Sequence, residues 1–295
     1  MSKAANIAIL TLGVFCCSTS VIFIKATSQP ALVIAAWRLS VATLLLLPLM
    51  FRAQARVPEI PLRARFRMAF VPGLILAVHF ATWAYGAKLT PAANATLITN
   101  MVPIVMPLLM LVVTHETLTR REAVGTAVAM VGFCLLVATD LNISTVYFWG
   151  DAVCFGSMLL FALYLILARK NRAADQLWLY VVPLYAIAAV TCIVLSFVFG
   201  NPIHRYPLSD VLWMTSLGIV PTVIGHSILN HSMHVLRGQV VSVMTMGQFF
   251  FAAILAWPLF HEVPPLLFYP ASALFIAGGW IVTVRASRQA GRIVR

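Results

Sequence analysis

Apolar runs of about twenty residues, each long enough to cross a ~30 Å hydrocarbon core as a helix, follow one another along nearly the whole chain. In 295 residues this pattern leaves no room for a soluble domain of ordinary size. Charged residues make up only 9% and apolar ones 62%, whereas a typical soluble domain is about 25% charged. The net charge of +12 does not point to nucleic acid. Its basic residues gather at the ends of apolar runs, as membrane topology requires, and no aromatic-basic patch accompanies them.

Ten spans fit, at about 4–26, 31–51, 68–89, 92–114, 119–139, 147–168, 176–199, 208–232, 238–260 and 265–285. The breaks carry turn chemistry or charge: Ser28-Gln29-Pro30, a basic loop from Arg52 to Arg67, Thr90-Pro91, Asn201-Pro202 and Pro264-Pro265. Proline at a helix start costs little, because its missing donor would be free there anyway. The first run begins at Lys3 and ends without a small-x-small cleavage site, so it reads as a retained helix. Sixteen Lys and Arg fall at the amino terminus, after the even-numbered spans and in the carboxyl tail. Three (Lys25, Lys88 and Arg205) fall on the opposite side, and Arg38 lies inside the second span. That bias predicts both termini in the cytoplasm.

The pair His115-Glu116 recurs as His261-Glu262, 146 residues later. At the same shift Thr96 meets Ser242, Thr99 meets Thr245, Ala127 meets Ala273, Gly132 meets Gly278 and Phe15 meets Phe161. Each half then holds five spans, over residues 1–140 and 147–295. An odd number sends the second half in from the opposite face, giving the inverted-topology repeat that many secondary transporters use. Gly132 and Gly278 read as close helix contacts. Glu116 and Glu262 read as structural residues of their turns, and His115 and His261 as capping or surface residues.

At these residues the chain resembles the ten-helix, EamA-type branch of the drug/metabolite transporter superfamily. The resemblance rests on "TPAANATLITN", the His-Glu turn and the glycine-bearing helix after it, on the second copy opening "GQVVSVMTMGQ", and on Trp37-Arg38. It implies an all-α membrane protein of ten helices in two inverted five-helix repeats. It also implies a secondary transporter in a bacterial inner membrane, similar to exporters of amino acids, including aromatic ones. The second copy departs: Gly238-Gln239 stands for Ala92-Ala93, and no Trp-Arg pair opens the seventh span. The halves therefore need not bind alike.

Polar groups deep in a span are costly and often functional. His79 and Trp83 share one face of the third span, and His226, Asn230 and His234 one face of the eighth. With Thr99, Asn100 and Pro103 of the fourth span, Tyr164 of the sixth, and Thr245, Gln248 and Phe249 of the ninth, they are the expected lining of a central cavity for an amphipathic solute. Aromatic faces would hold an apolar side chain, and amides and hydroxyls would meet a carboxylate and an ammonium. Pro103 frees a carbonyl in its helix that a positive group can use. Arg38 is expected to greet an anion at the outer mouth or to snorkel.

All eight Asp and Glu fall at span ends or in loops, so a midplane sodium site or carboxylate relay lacks its usual ligand. Proton coupling would fall to His79 or His226, since imidazole titrates near neutral pH. No cofactor or metal is expected. Neither His-Glu pair has the second histidine of H-E-x-x-H, "HSMH" at 231–234 lacks a third ligand, and the five cysteines show no C-x-x-C and read as packing residues. No catalytic motif appears, so the chain is not read as an enzyme. An intramembrane enzyme acting on lipids or peptides, or a carrier of drugs or other metabolites, remains the alternative. The expected partners are a small solute and the bilayer, and a monomer is compatible with this reading.

Overall fold

In the computed structural model, residues 2–140, 145–171, 176–199, 202–260 and 266–283 are described, and they form an all-helical bundle of ten passes. The second, third, sixth and seventh are Ala31–Arg56, Leu62–Leu89, Phe148–Lys170 and Trp178–Phe199. Eight passes are by themselves long and apolar enough to cross a membrane. The fifth is Arg120–Asp140, and the tenth is the shorter apolar helix Phe268–Thr283. Large apolar side chains such as Leu44, Leu108, Val112, Phe199 and Trp280 face outward, as a lipid-contacting surface requires. Lys3 donates from Nζ to the Thr283 carbonyl, bringing the start of the first pass and the end of the tenth together.

Two of the expected spans run longer than sequence suggested. The second continues to Arg56, and the third begins at Leu62 behind Pro61, so most of the supposed basic loop is helix. Proline at the N-cap starts the helix early, because only the turns beyond it need donors.

Three passes are broken. The first divides at Thr19 into Lys3–Ser18 and Ser20–Ala26. The fourth divides into Ala92–Thr99 and Val102–Leu109, followed by a π-helical stretch Met110–Thr114. The ninth divides at Met246 into Gly238–Thr245 and Gly247–Phe260. Pro103 explains the fourth: it lacks an N–H, and the turn before it tightens, with Met101 N bonding to Ile98 O at 3.1 Å. Asn100 and Met246, the residues at the two breaks, are 146 apart. The eighth pass, Leu208–Leu217 and Ser227–Val235, is joined through a π-helical stretch Gly218–His226 containing Pro221.

The repeat is written into the packing. A Cβ on Gly132 would stand 2.5 Å from the Ala271 carbonyl oxygen, and one on Gly278 only 2.4 Å from the Ala129 nitrogen. Gly132 faces Ala271 and Phe275, while Gly278 faces Gly125 and Ala129. Adding 146 carries the second set onto the first, so the interface of the fifth and tenth passes maps onto itself. Two further interfaces exchange with each other, at a shift of 146 for the partners and 145 for the glycines. Gly73 of the third pass lies against Leu184 and Ile187 of the seventh, and Gly218 of the eighth against Arg38 and Val41 of the second. A pairing that is its own partner is the mark of a two-fold axis. With five passes per half, that axis lies in the plane of the membrane.

Candidate functional site

A cavity opens where the broken passes meet. The first pass lines it with Cys17, Ser18, Ser20 and Val21, the third with His79, Phe80 and Trp83, and the fourth with Thr96, Thr99 and Asn100. The second half adds Phe161, His226 and Gln248. Ten of the thirteen lining residues thus come from the first half. About 30 Å³ is open to water-sized molecules, whereas small-molecule sites usually measure roughly 300–1,000 Å³. That leaves room for a few waters.

Aromatic rings make one part of the wall. His79 stacks on Phe161 at 5.0 Å between centroids, and His226 meets the edge of Phe80 at 4.9 Å. The His79 ring is fixed from behind: its Nδ1 lies 3.0 Å from the Ser157 carbonyl oxygen and 2.9 Å from Ser157 Oγ. His226 Nδ1, by contrast, is buried without a hydrogen-bond partner.

The broken fourth pass makes the polar part. Asn100 donates from Nδ2 to the Thr96 carbonyl at 2.7 Å, which leaves Oδ1 unpartnered. The hydroxyls of Thr96 and Thr99 are likewise buried and unpartnered. Such groups cost roughly 1–3 kcal/mol each unless something meets them, so they cluster where a ligand or water is meant to enter.

Six of the expected lining residues meet here: His79, Trp83, Thr99, Asn100, His226 and Gln248. Five do not. Tyr164 lies behind Phe161 and accepts a hydrogen bond from Asn230, which also donates to the His226 carbonyl at 2.8 Å. The two form a second layer. His234 sits further down beside Tyr180 instead of joining His226 at the cavity. Thr245 turns back to the Ser242 carbonyl at 2.7 Å. Phe249 packs edge-on to Phe133 of the fifth pass. Pro103 lies outside the lining, and its own carbonyl accepts from Gln239 Nε2 at 3.3 Å. Spacing along one helix gives a shared face, but which face meets the cavity depends on neighbours.

Arg38 departs from expectation. It is 1% exposed, so it neither snorkels nor stands at a mouth. Its helix turns it toward the third and eighth passes, where the guanidinium lies 3.9 Å above the Phe80 ring. Cys17 also departs: it lines the cavity, while the other cysteines stand elsewhere, and all five are free thiols.

Away from the cavity, two groups of polar contacts join the halves. At the Arg-rich end, Arg169 grips Glu116 through Nε and Nη2, both at 2.9 Å, and donates to the Met233 carbonyl at 3.1 Å. Arg237 donates to both oxygens of Glu122, at 2.5 and 3.1 Å, and to the Thr117 carbonyl at 2.6 Å. Glu122 also caps its own helix with Thr119, a T-x-x-E capping box that sequence could have revealed. Glu116 is therefore structural in a wider sense than expected, tying two halves together and not only its turn. His115 closes the helix in a left-handed conformation, φ 55°, as a cap. His261 and Glu262 lie outside the described residues.

At the other end the fasteners are acids held by neutral donors. Asp151 accepts from Thr90 Oγ1 at 2.6 Å and from Asn94. Asp210 accepts from Ser28 Oγ at 2.7 Å and from Gln29 Nε2 at 2.6 Å. Within the first half, Lys25 and Lys88 donate to the Thr90 and Thr27 carbonyls at 2.9 and 2.8 Å. Among the described residues, no group of three or more His, Cys, Asp or Glu could hold a metal ion.

Comparison with known proteins agrees with this architecture. Residues 5–138 match the model of the EamA-like transporter family. A curated relative from Bacillus subtilis (strain 168), named as the uncharacterized transporter YyaM, is 26% identical over 184 residues. That match spans 61% of this chain and 60% of the relative's length. A solved crystal structure superposes with a TM-score of 0.78 at 17% identity, covering 97% of this chain and all of that one. The last likeness concerns the fold alone. Over residues 5–138, then, this multi-pass membrane protein is similar to the EamA-like transporter family.

Proposed function

We propose that the protein is a secondary transporter of a bacterial inner membrane that exports small amphipathic metabolites, amino acids first and aromatic ones among them, by alternating access. Both termini face the cytoplasm, and residues 1–140 and 147–295 act as the two moving halves. The observation that carries this reading is the cavity itself. It is lined from both halves and has aromatic rings beside unpartnered hydroxyl and amide groups, and separate groups of polar contacts join one half to the other. A catalyst needs a fixed reacting constellation. A carrier needs a chamber whose two doors open in turn, and breaking one group of contacts at a time provides that. A zwitterion would place its apolar side chain against Phe161 and Phe80 and its ammonium against Asn100 Oδ1 and the threonine hydroxyls.

Purified protein in proteoliposomes, given a panel of labelled amino acids and related amines with and without a pH gradient, tests this. Saturable flux accelerated by substrate on the far side is expected. Non-saturable leakage, or no flux of any amino acid or amine, defeats the reading. If the flux responds to a pH gradient, His226→Asn is expected to reduce the response more than His79→Asn, since Ser157 holds the Nδ1 of His79 while the Nδ1 of His226 has no partner.

A further inference from the structure

Arg38 carries a buried charge without a counter-charge. Among the described residues no Asp or Glu stands within ion-pair distance of it. A buried ion in that condition costs several kcal/mol, and what meets it here is modest. Its Nε donates to Thr222 Oγ1 at 3.0 Å and its Nη1 to Ser20 Oγ at 3.5 Å, while Nη2 has no hydrogen-bond partner. The flat face of the guanidinium rests on Phe80.

Two of these neighbours, Ser20 and Phe80, are cavity wall. Ser20 sits just past the break in the first pass, which turns its hydroxyl inward. That oxygen also accepts from Trp83 Nε1 at 3.4 Å. A hydroxyl has two lone pairs and one hydrogen. With both lone pairs facing N–H donors, one of them charged, the hydrogen is left to donate. The wall thus presents an O–H donor backed by a fixed positive charge in a water-poor setting, where such a pairing is strong.

We infer that Arg38, acting through and beside Ser20, makes a carboxylate subsite of this cavity, and that the cargo is an organic anion or zwitterion with a carboxylate. The inference rests on the transporter reading for its biological meaning, but it is a statement about binding. The bound carboxylate would supply the counter-charge that the protein withholds, so the empty chamber and the loaded one differ in electrostatic balance.

Binding of benzoate to the purified full-length protein, followed by tryptophan fluorescence, tests it, with benzamide as the neutral compound of the same shape. The wild type is expected to prefer benzoate by about tenfold or more, the worth of one charge-assisted hydrogen bond. Arg38→Gln is expected to bring the ratio to about one, and Arg38→Lys to keep only part of it, since the ammonium retains the charge but not the stacked fork. An unchanged ratio in folded Arg38→Gln overturns the subsite, as does a wild type without the preference or without benzoate binding. Should Arg38→Gln not fold, Ser20→Ala decides: benzoate is expected to weaken about three- to tenfold with benzamide unaffected. Equal losses, or none, overturn the subsite. Because binding is read without flux, saturable flux with no role for Arg38 would overturn the subsite alone. An intact benzoate preference without flux would overturn the carrier reading alone.

Discussion

The fourth and ninth passes are the same device put to two uses. Each is interrupted at the corresponding place, Asn100 in one and Met246 in the other. In the fourth, the break exposes Thr96, Thr99 and Asn100 to the cavity with polar atoms unspent. In the ninth, Ser242 bonds the Gln239 carbonyl at 3.0 Å and Thr245 the Ser242 carbonyl at 2.7 Å, so both hydroxyls are consumed by their own helix. Repetition fixed where the chain bends, but not how hydroxyls are spent: Thr99 and Thr245 are matching threonines, and only the first is left unpartnered. The departure at Gly238-Gln239 sharpens this. Gln239 turns from the cavity and ties the ninth pass to Pro103 and to Thr126 Oγ1, the latter at 2.9 Å.

The likeness of the halves can be broken hardest at the self-paired glycines. Gly132→Leu and Gly278→Leu are each expected to destabilise by about 3 kcal/mol or more, since overpacking a helix contact forces backbone to move. Unfolding of the detergent-solubilised protein should show similar losses for both. A large loss in one and none in the other would mean that the interface is not two-fold.

The unlikeness is tested at the breaks. Asn100→Leu removes a free acceptor and the bond that supports it, and is expected to lower flux about ten- to a hundredfold. Met246→Leu is expected to leave flux within about twofold, because a volume-conserving swap is well tolerated. Proteoliposome uptake compares the two. A smaller contrast should separate the hydroxyls: Thr96→Val with Thr99→Val raises the half-saturating concentration about tenfold, whereas Ser242→Ala with Thr245→Val leaves it unchanged. Smallest is Gln239→Leu, with a stability loss of about 1–2 kcal/mol for two broken hydrogen bonds and no change in substrate ranking. A changed ranking would put Gln239 back in the cavity.

The architecture was readable in the order of residues because it rests on counts and periods. Charge bias and a shift of 146 gave ten passes in two halves, and the same shift singled out Gly132 and Gly278, which prove to be the tight contacts. The candidate site was readable only in part. His79, Trp83, Thr99, Asn100, His226 and Gln248 stand out as polar or aromatic groups in apolar runs. Cys17 and Val21 carry no such signal and Ser18 and Ser20 only that of small hydroxyls; all four lie beside a break at Thr19 that no proline announces. Arg38 was visible as an oddity but not as a buried one, since its cover comes from passes far away in sequence. The pairs Glu116–Arg169 and Glu122–Arg237 are 53 and 115 residues apart, and charge at a helix end does not name its partner.

The two groups of contacts that join the halves rest on different chemistry, and dissolved electrolyte can tell them apart. In one, Arg169–Glu116 and Arg237–Glu122 must separate into four naked charges, and small ions stabilise such charges once they are parted. In the other, Asp151 and Asp210 let go of hydroxyl and amide groups that carry no charge of their own. Rising ionic strength is therefore expected to loosen the contacts beside the arginines first, and spin-label distances across each group of contacts, followed against salt, would show one gap widening while the other holds. A protein with such fastenings would take its resting posture partly from the brine on either side of its membrane.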